Sequence, residues 1–227
     1  MLKTELHTHI NADPQDGIFI KYNAFQLIDR AKELNFDVLG ITCHNYVYEN
    51  KEAQEYANNK GILLINGAEV DVQSKHTLIY GINNEDIPKI NSFLDLKKLK
   101  AEKNLFIIAA HPFYKAPSCL GNVILKYLNL FDAWEYHAFY HKSINPNKKV
   151  IRLAKKYNKA VVGNSDVHHL RDLGQTYTLI DAQKNKESVF QAIKDKKCKI
   201  VSKPLTLKKY LYVIYQLIYS AIRKRMP

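Results

Sequence analysis

Short runs of β-branched and apolar residues alternate along this chain with segments whose apolar residues recur every three or four positions. "KTELHTH" opens as a strand, and "NAFQLIDRAKELN" follows as a helix with Ala24, Leu27, Ile28 and Ala31 on one face. "FDVLGITCH" predicts the next strand and "ENKEAQEYANNKG" the next helix, ended by Gly61. Two strands, "ILLINGAEV" and "HTLIYGI", then follow with only a short turn between them, and a helix is expected from Asp86 to Lys103. "LFIIAAHP" reads as a strand, "CLGNVILKYLN" as a helix, "FDAWEYH" as a strand and "NPNKKVIRLAKKYN" as a helix leading into the strand "KAVVGNSDVH". The pieces "TYTLID", "KESVFQAIKDKK" and "KIVS" complete the alternation.

Repeated βα units with near-continuous apolar strands point to a parallel sheet covered by helices. His7, His9, His44, Glu69, His111, His137 and the pair Asp166/His168 all fall at the C-terminal ends of predicted strands. In a barrel those ends converge on one face, whereas the outer strand ends of an open sheet lie too far apart to share a site. An α/β barrel is therefore expected, irregular where the short turn replaces a helix.

The last stretch, "KPLTLKKYLYVIYQLIYSAIRKRMP", differs in composition, so residues 1–203 are taken as the barrel and 204–227 as a C-terminal helical tail. Its apolar core from Tyr210 to Ile222 is flanked by Lys208, Lys209, Arg223, Lys224 and Arg225. It is too short and too interrupted by Tyr, Gln and Ser to span a bilayer. Two readings stay open: a helix packing its apolar side on the barrel, or an interfacial helix that meets anionic lipid or a partner through residues 208–225.

The overall balance, 46% apolar and 25% charged over 227 residues, is that of a globular protein with one sizeable core. Charge changes the picture more. A formal net charge of +12 would attract phosphates, nucleic acid or anionic lipid. Cys43, Cys119 and Cys198 form no spaced pair, which suggests a reducing compartment. "MLKTELHTH" lacks the apolar segment of a signal peptide, so a cytoplasmic protein, peripheral to the membrane at most, is expected.

The strand ends carry the chemistry. His7 and His9 sit two apart and so face the same way on a strand. Asp13 and Asp16 follow in a loop where, alone, each would be a turn residue. Glu69 lies in the apolar run "GAEV", where an unpaired carboxylate is expensive to bury and a cation would offset the cost. His44 after "GITC", His111 in "AAHP" and Asp166/His168 in "NSDVH" repeat the pattern. Each alone has an ordinary structural explanation; together they point to a metal cluster. Mixed imidazole and carboxylate donors suit Mn, Fe or Zn, and the number of donors calls for two or three ions with Glu69 as a natural bridge.

The segments "ELHTH" with "DG", "GITCHN", "GAEV", "AAHP", "WEYH" and "GNSDVH" resemble, in order, the signatures of the PHP (polymerase and histidinol phosphatase) family. The resemblance runs over residues 3–202. It implies a distorted (β/α)7 barrel, a trinuclear metal site and phosphoesterase activity. Residue by residue, it implies ligand roles for His7, His9, Asp16, His44, His111, Asp166 and His168, with Glu69 bridging. A further ligand is implied from "EYHAFYH", with His137 a better fit than His141, and Asp13 stands as the alternative to Asp16. The family commonly has "TDH" where this chain has "TCH", so Cys43 is a departure and reads as a small filler.

Hydroxide shared by two cations would attack phosphorus in line, which accounts for a dense ligand set without a Ser, Cys or Lys nucleophile motif. His76 and His169 are candidates to protonate the leaving alcohol. Arg171, Lys21 and Lys115 are candidates to hold substrate phosphate. No glycine-rich phosphate loop is present, and no long insertion between motifs suggests a cap domain. The expected activity is hydrolysis of a phosphomonoester or small nucleotide. Alternatives are a nuclease of the same metal design, favoured by charge but lacking an evident stacking strip, and a non-catalytic adaptor working through the basic tail.

Overall fold

The computed structural model describes the backbone of residues 1–223 and the side chains of residues 1–215. Nine strands form one sheet in the order β7-β6-β5-β4-β3-β2-β1-β8-β9. Strands β1 (Leu2–Glu5), β2 (Val38–Ile41) and β3 (Leu63–Val72) are parallel. Strand β4 (Lys75–Tyr80) runs antiparallel to both β3 and β5 (Phe106–Ala109). The parallel direction then resumes through β5, β6 (Ala133–His137) and β7 (Ala160–Asn164).

The barrel closes differently at its two ends. Beyond the C-terminal ends of β1 and β7, Thr8 bridges Val167 in parallel, with His9 N–H donating to Val167 O at 3.0 Å and Val167 N–H to His7 O at 3.1 Å. At the other end, β8 (Thr176–Ile180) and β9 (Cys198–Ser202) are wedged in as an antiparallel pair against β1. There β7 and β8 are joined through side chains, with Gly163 N–H donating to Thr178 Oγ1 at 2.8 Å. Gly163 permits this approach, because a Cβ would lie 2.7 Å from Ile200 Cγ2. The fold is thus the expected distorted barrel of seven strands, with two more filling its open seam.

Helices cover the outside. Helix α1 (Ala24–Glu33) starts at a reciprocal cap, Asn23 Oδ1 accepting from Gln26 N–H and Gln26 Oε1 from Asn23 N–H, both at 3.0 Å. It buries Ala24, Leu27, Ile28 and Ala31, the face its spacing predicts. Helices α2 (Lys51–Asn59), α4 (Asn147–Lys156) and α5 (Lys186–Lys194) follow the sequence expectation to within a few residues. Two expected helices differ. The 86–103 segment splits into a 3-10 turn at Ile87–Lys89 and α3 (Phe93–Glu102), because Ser92 is extended and caps α3, accepting from Asp95 N–H at 3.2 Å. "CLGNVILKYLN" forms a 3-10 helix at Gly121–Leu125 and then turns, whose greater rise per residue lets a short segment reach β6.

Along β5 the side chains alternate: Phe106 and Ile108 face the interior, Ile107 and Ala109 the helices. The lower interior is apolar, with Leu78, Ile108 and Val162 packed near Phe106, which stacks on Phe190 of α5 at 4.2 Å. Above this floor the interior turns polar, and the site begins. The C-terminal helix α6 (Leu207–Arg223) is present; its first turns are pinned by Lys209 to Asp172 at 2.7 Å and by Tyr210 stacked on Phe139 at 4.8 Å. Leu207, Leu211 and Tyr215, spaced one helical turn apart, remain exposed. The side chains of residues 216–225, the greater part of the expected lipid-contact segment, lie outside the described residues. No helix among the described residues is long and apolar enough to cross a membrane.

Candidate metal centre

The strand period that alternates core and helix-facing positions also carries polar groups inward at the upper end of the barrel. On β6, Ala133, Glu135 and His137 share the interior face; on β7, Ala160, Val162 and Asn164 do. Beyond β5 and β7 the chain bends sharply. His111 and Asp166 both adopt positive φ, 26° and 51°, although neither is glycine. Such backbone strain costs about 1–3 kcal/mol and persists where the surroundings impose it. It turns both side chains into one cluster.

Two carboxylates stand at the centre of that cluster. Glu69 Oε2 lies 3.2, 3.3 and 3.1 Å from Nε2 of His7, His9 and His44, while its Oε1 lies 2.8 Å from His76 Nδ1 and 3.2 Å from His111 Nε2. Asp166 Oδ1 lies 3.3 Å from His7 Nε2, His9 Nε2 and His168 Nδ1, and its Oδ2 lies 3.2 Å from His137 Nε2. Each carboxylate therefore faces different imidazoles with its two oxygens. Three groups have donor atoms close enough to hold an ion: His7, His9 and Asp166; His9, Asp13 and His44; and His44, Glu69 and His76. Although buried and close to opposite charges, His9 Nε2, His76 Nδ1 and Asp166 Oδ1 make no well-aligned hydrogen bond. Buried polar atoms are rarely left so, and these three are of the types that ligate divalent metals. The donor set fits a multinuclear metal centre.

A second tier fixes the imidazoles from behind. Asp13 Oδ2 lies 2.7 Å from His9 Nδ1 and 3.0 Å from His44 Nδ1 and accepts His44 N–H at 2.8 Å. Its other oxygen accepts the N–H groups of Gln15 and Asp16. Asp13 is thus saturated by hydrogen bonds that leave Nε2 of both histidines facing Glu69. Asp16 stands at the rim, 3.5 Å from His168 Nε2. Glu135 Oε1 lies 2.8 Å from His7 Nδ1 and accepts Asn164 Nδ2–H at 2.9 Å, while Oε2 accepts His111 N–H at 2.7 Å. Glu5 accepts Ser165 N–H at 2.9 Å and His7 N–H at 3.0 Å.

The charges interlock. Burial alone would lower the His9 and His44 pKa values, but the carboxylates beside them push both up to about 9. His168 is likewise raised, against burial, to about 10 by Asp166 and Asp16. Burial would raise Glu69 and Asp166, yet the surrounding histidines hold both well below the usual carboxylate range. Burial pushes Glu5 up to about 8.

Of the residues singled out in the sequence, His7, His9, His44, Glu69, His111, His137, Asp166 and His168 come together, with Asp16 at the edge and His76 inside. His141 does not join them; it pairs with Ile144 beside Tyr210. His169 and Arg171 are exposed on the segment after β7, outside the cluster. Lys21 is exposed with its Nζ donating to Ile18 O, and Lys115 is exposed on the loop after β5. Cys43 is buried among apolar side chains, as a filler would be. Glu5, Glu135 and Asn164 were missed by the sequence reading. For Glu135 the signal was available, an acid at an inward position of an apolar strand, the same argument that marks Glu69.

Solved structures share this fold. A two-domain Bacteroides vulgatus protein, described as containing a predicted PHP-like metal-dependent phosphoesterase, superposes with a TM-score of 0.69 at 16% identity over 95% of this chain and 69% of that one. PsfC from Pseudomonas syringae gives 0.61 at 17% identity over 96% and 97%. An amidohydrolase from Chromobacterium violaceum, with bound sulfate and no metal, gives 0.59 at 16% identity over 75% and 89%. No curated protein matches the chain. The PHP domain model matches residues 5–162, and the PHP-associated model matches residues 145–198. With signature segments, barrel and domain model all in agreement, the chain belongs to the PHP family.

Proposed function

We propose that this chain is a metal-dependent phosphoric ester hydrolase acting on a phosphomonoester or small nucleotide. One observation carries the reading: a buried carboxylate, Glu69, and a half-buried one, Asp166, gather seven imidazoles around their four oxygens, with ligating atoms among them that make no well-aligned hydrogen bond. His7, His9, Asp16, His44, Glu69, His111, His137, Asp166 and His168 would hold two or three divalent ions, of Mn, Fe or Zn type. When bound, such ions lower the pKa of water and neutralise phosphoryl oxygens.

The chain's own groups supply the rest. Asp13 and Glu135 orient His9, His44 and His7 so that Nε2 is the ligating atom. His76 is partly open to solvent, with Nε2 3.4 Å from Asp71 Oδ1, and is the better placed of the two histidines expected to protonate a leaving alkoxide. Arg171 and Lys115, exposed on loops at the site end, are assigned to substrate phosphate, with Lys21 a third cation. The amidohydrolase neighbour shows that the fold alone does not choose the scissile bond; family membership and the net charge of +12 favour a phosphate ester over an amide.

The test is phosphate release by Mn-loaded protein from phosphomonoesters and short oligonucleotides, against chelator-stripped protein and an amide panel. Metal-dependent release from small esters supports the proposal. Release from oligonucleotides alone would move it to a nuclease, and inertness with ions bound would overturn it. His76→Ala should keep its metal and lose turnover; an unchanged kcat would remove His76 from the assignment.

A further inference from the structure

Beside the metal centre lies a cleft of about 830 Å³ that, Lys115 at its rim apart, none of the chemistry above uses. Its floor is apolar and aromatic: Phe113 from the loop after β5, Phe139 from the loop after β6, and Tyr210 from α6. The Phe139 and Tyr210 rings are nearly parallel, 14° apart. Its rim is cationic, with Lys115, Lys148, Lys149 and Arg152, and among the described residues no acidic side chain lines it. Lys149 lies over the Phe113 ring at 4.5 Å. Lys115, Lys148 and Arg152 are exposed and make no ion pair among the described residues.

The cleft shares a wall with the centre. Tyr114, which also lines it, donates its hydroxyl to His137 O at 3.3 Å and sets its ring 5.1 Å from the His137 ring. His137 in turn faces Asp166. A substrate whose phosphate sits among the metal-ligating side chains would therefore extend its other half over Tyr114 into the cleft. Aromatic walls favour a flat or apolar group there. With the reacting phosphate held at the metal centre and by Lys115, the rim cations Lys148 and Arg152 are left to meet a second negative charge.

We infer that this cleft is the subsite for the alcohol half of the substrate, and that this half is an apolar or aromatic body carrying a second anionic group. The assignment of that half as a leaving group rests on the phosphoesterase reading; binding of such an amphiphile in the cleft does not. Burial against α6 also gives the C-terminal helix a role, since Tyr210 forms one wall.

Anilinonaphthalenesulfonate, an aromatic body with one sulfonate, serves as the binding probe. It is titrated into the full chain without metal and read by energy transfer from the single tryptophan, Trp134, whose ring lies 6.0 Å from Phe113. Saturable binding should weaken by about tenfold in Lys148→Ala/Arg152→Ala, a pair whose exposure leaves the fold intact, and in Phe139→Ser. Leu211→Ser, on the exposed side of α6, should leave it unchanged. Binding indifferent to the cleft variants, or lost in Leu211→Ser instead, would overturn the inference. A kinetic arm compares a sulfonated naphthyl phosphate with glycerol phosphate on Mn-loaded protein. The cleft variants should raise KM for the first and leave kcat for the second alone. If no ester is hydrolysed while the probe behaves as expected, the phosphoesterase reading fails and the cleft stands. If esters are hydrolysed but KM ignores the variants, the cleft assignment fails.

Discussion

Replacing Glu135 by glutamine removes a charge and two lone pairs while keeping the shape, so its consequences can be followed atom by atom. Glu135 is fully buried and serves three donors: His7 Nδ1 and Asn164 Nδ2 at Oε1, and His111 N at Oε2. If the amide oxygen takes the Oε1 position, the new NH2 faces the His111 N–H, donor against donor. An unsatisfied buried donor costs about 1–3 kcal/mol. If the amide is flipped, the NH2 opposes the Asn164 Nδ2–H donor and also faces His7 Nδ1, which can accept only by moving its proton to Nε2, the atom that faces Glu69 and Asp166. That tautomer cannot ligate. Loss of such a supporting partner typically weakens metal affinity by about 10–100-fold. For a chain of this length the first outcome lowers Tm by about 2–4 °C per kcal/mol. Calorimetric Mn titration and thermal melts with and without chelator separate the two: either amide orientation lowers the metal-free Tm, and only the flipped one also lowers Mn affinity. Glu135→Gln with unchanged affinity and unchanged Tm would refute the claim that Glu135 sets the His7 tautomer.

The remaining predictions use the same geometry. In metal-free protein, His9 and His44 titrate near about 9 rather than 6.5, so the stability they add is whole below about pH 6.5 and is lost as pH rises through about 9. Chelated protein should therefore melt lower as pH climbs over that window, while Mn-loaded protein, which needs neutral imidazoles, should not; parallel slopes for the two forms would contradict the interlocked charges. Asp13→Asn breaks a buried acceptor for two histidines and should cost about 3–5 kcal/mol even without metal. Asp16→Asn, at the rim, should lower Mn occupancy and leave the metal-free melt nearly alone; equal losses in both variants would merge their roles. Gly67→Ala places a methyl 2.8 Å from the Ile79 carbonyl, which belongs to the paired strand and cannot rotate away, so about 1–3 kcal/mol of denaturant-measured stability should be lost.

How far the sequence carried these conclusions depends on the range of the interaction involved. Periodicity placed every strand of the barrel, because each is a local run with one face committed to the core. The site candidates were legible for the same reason: His44, His111 and the Asp166/His168 pair each end an apolar run, and strand ends gather in a barrel. What escaped was set by contacts between distant segments. Glu135 and Asn164 meet only because β6 and β7 pair with His137 opposite Asn164. The 3-10 course of 121–125 follows from the span to β6, and the cleft exists only where α6 returns to Phe139. Asp13 and Asp16 were interchangeable on paper because a loop of that length has several courses. Folding separates them, one beneath the imidazoles and one at the rim.

The reversed strand is where local pattern and long-range geometry meet. In a wholly parallel barrel, only C-terminal strand ends reach the upper face. The β3–β4 hairpin turns the chain at Gln73 and Ser74, both with left-handed φ, so β4 enters the barrel from the site end. His76, at the beginning of β4, therefore lies beside Glu69 near the end of β3, in register with Asp71 across the hairpin. A helix in place of that turn would have delivered His76 to the opposite end of the barrel. The irregularity in the βα alternation, a short turn where a helix would stand, is what adds a seventh imidazole to the two central carboxylates. It also leaves that imidazole nearer solvent than His7 or His9, which suits the proton-donor role proposed for it.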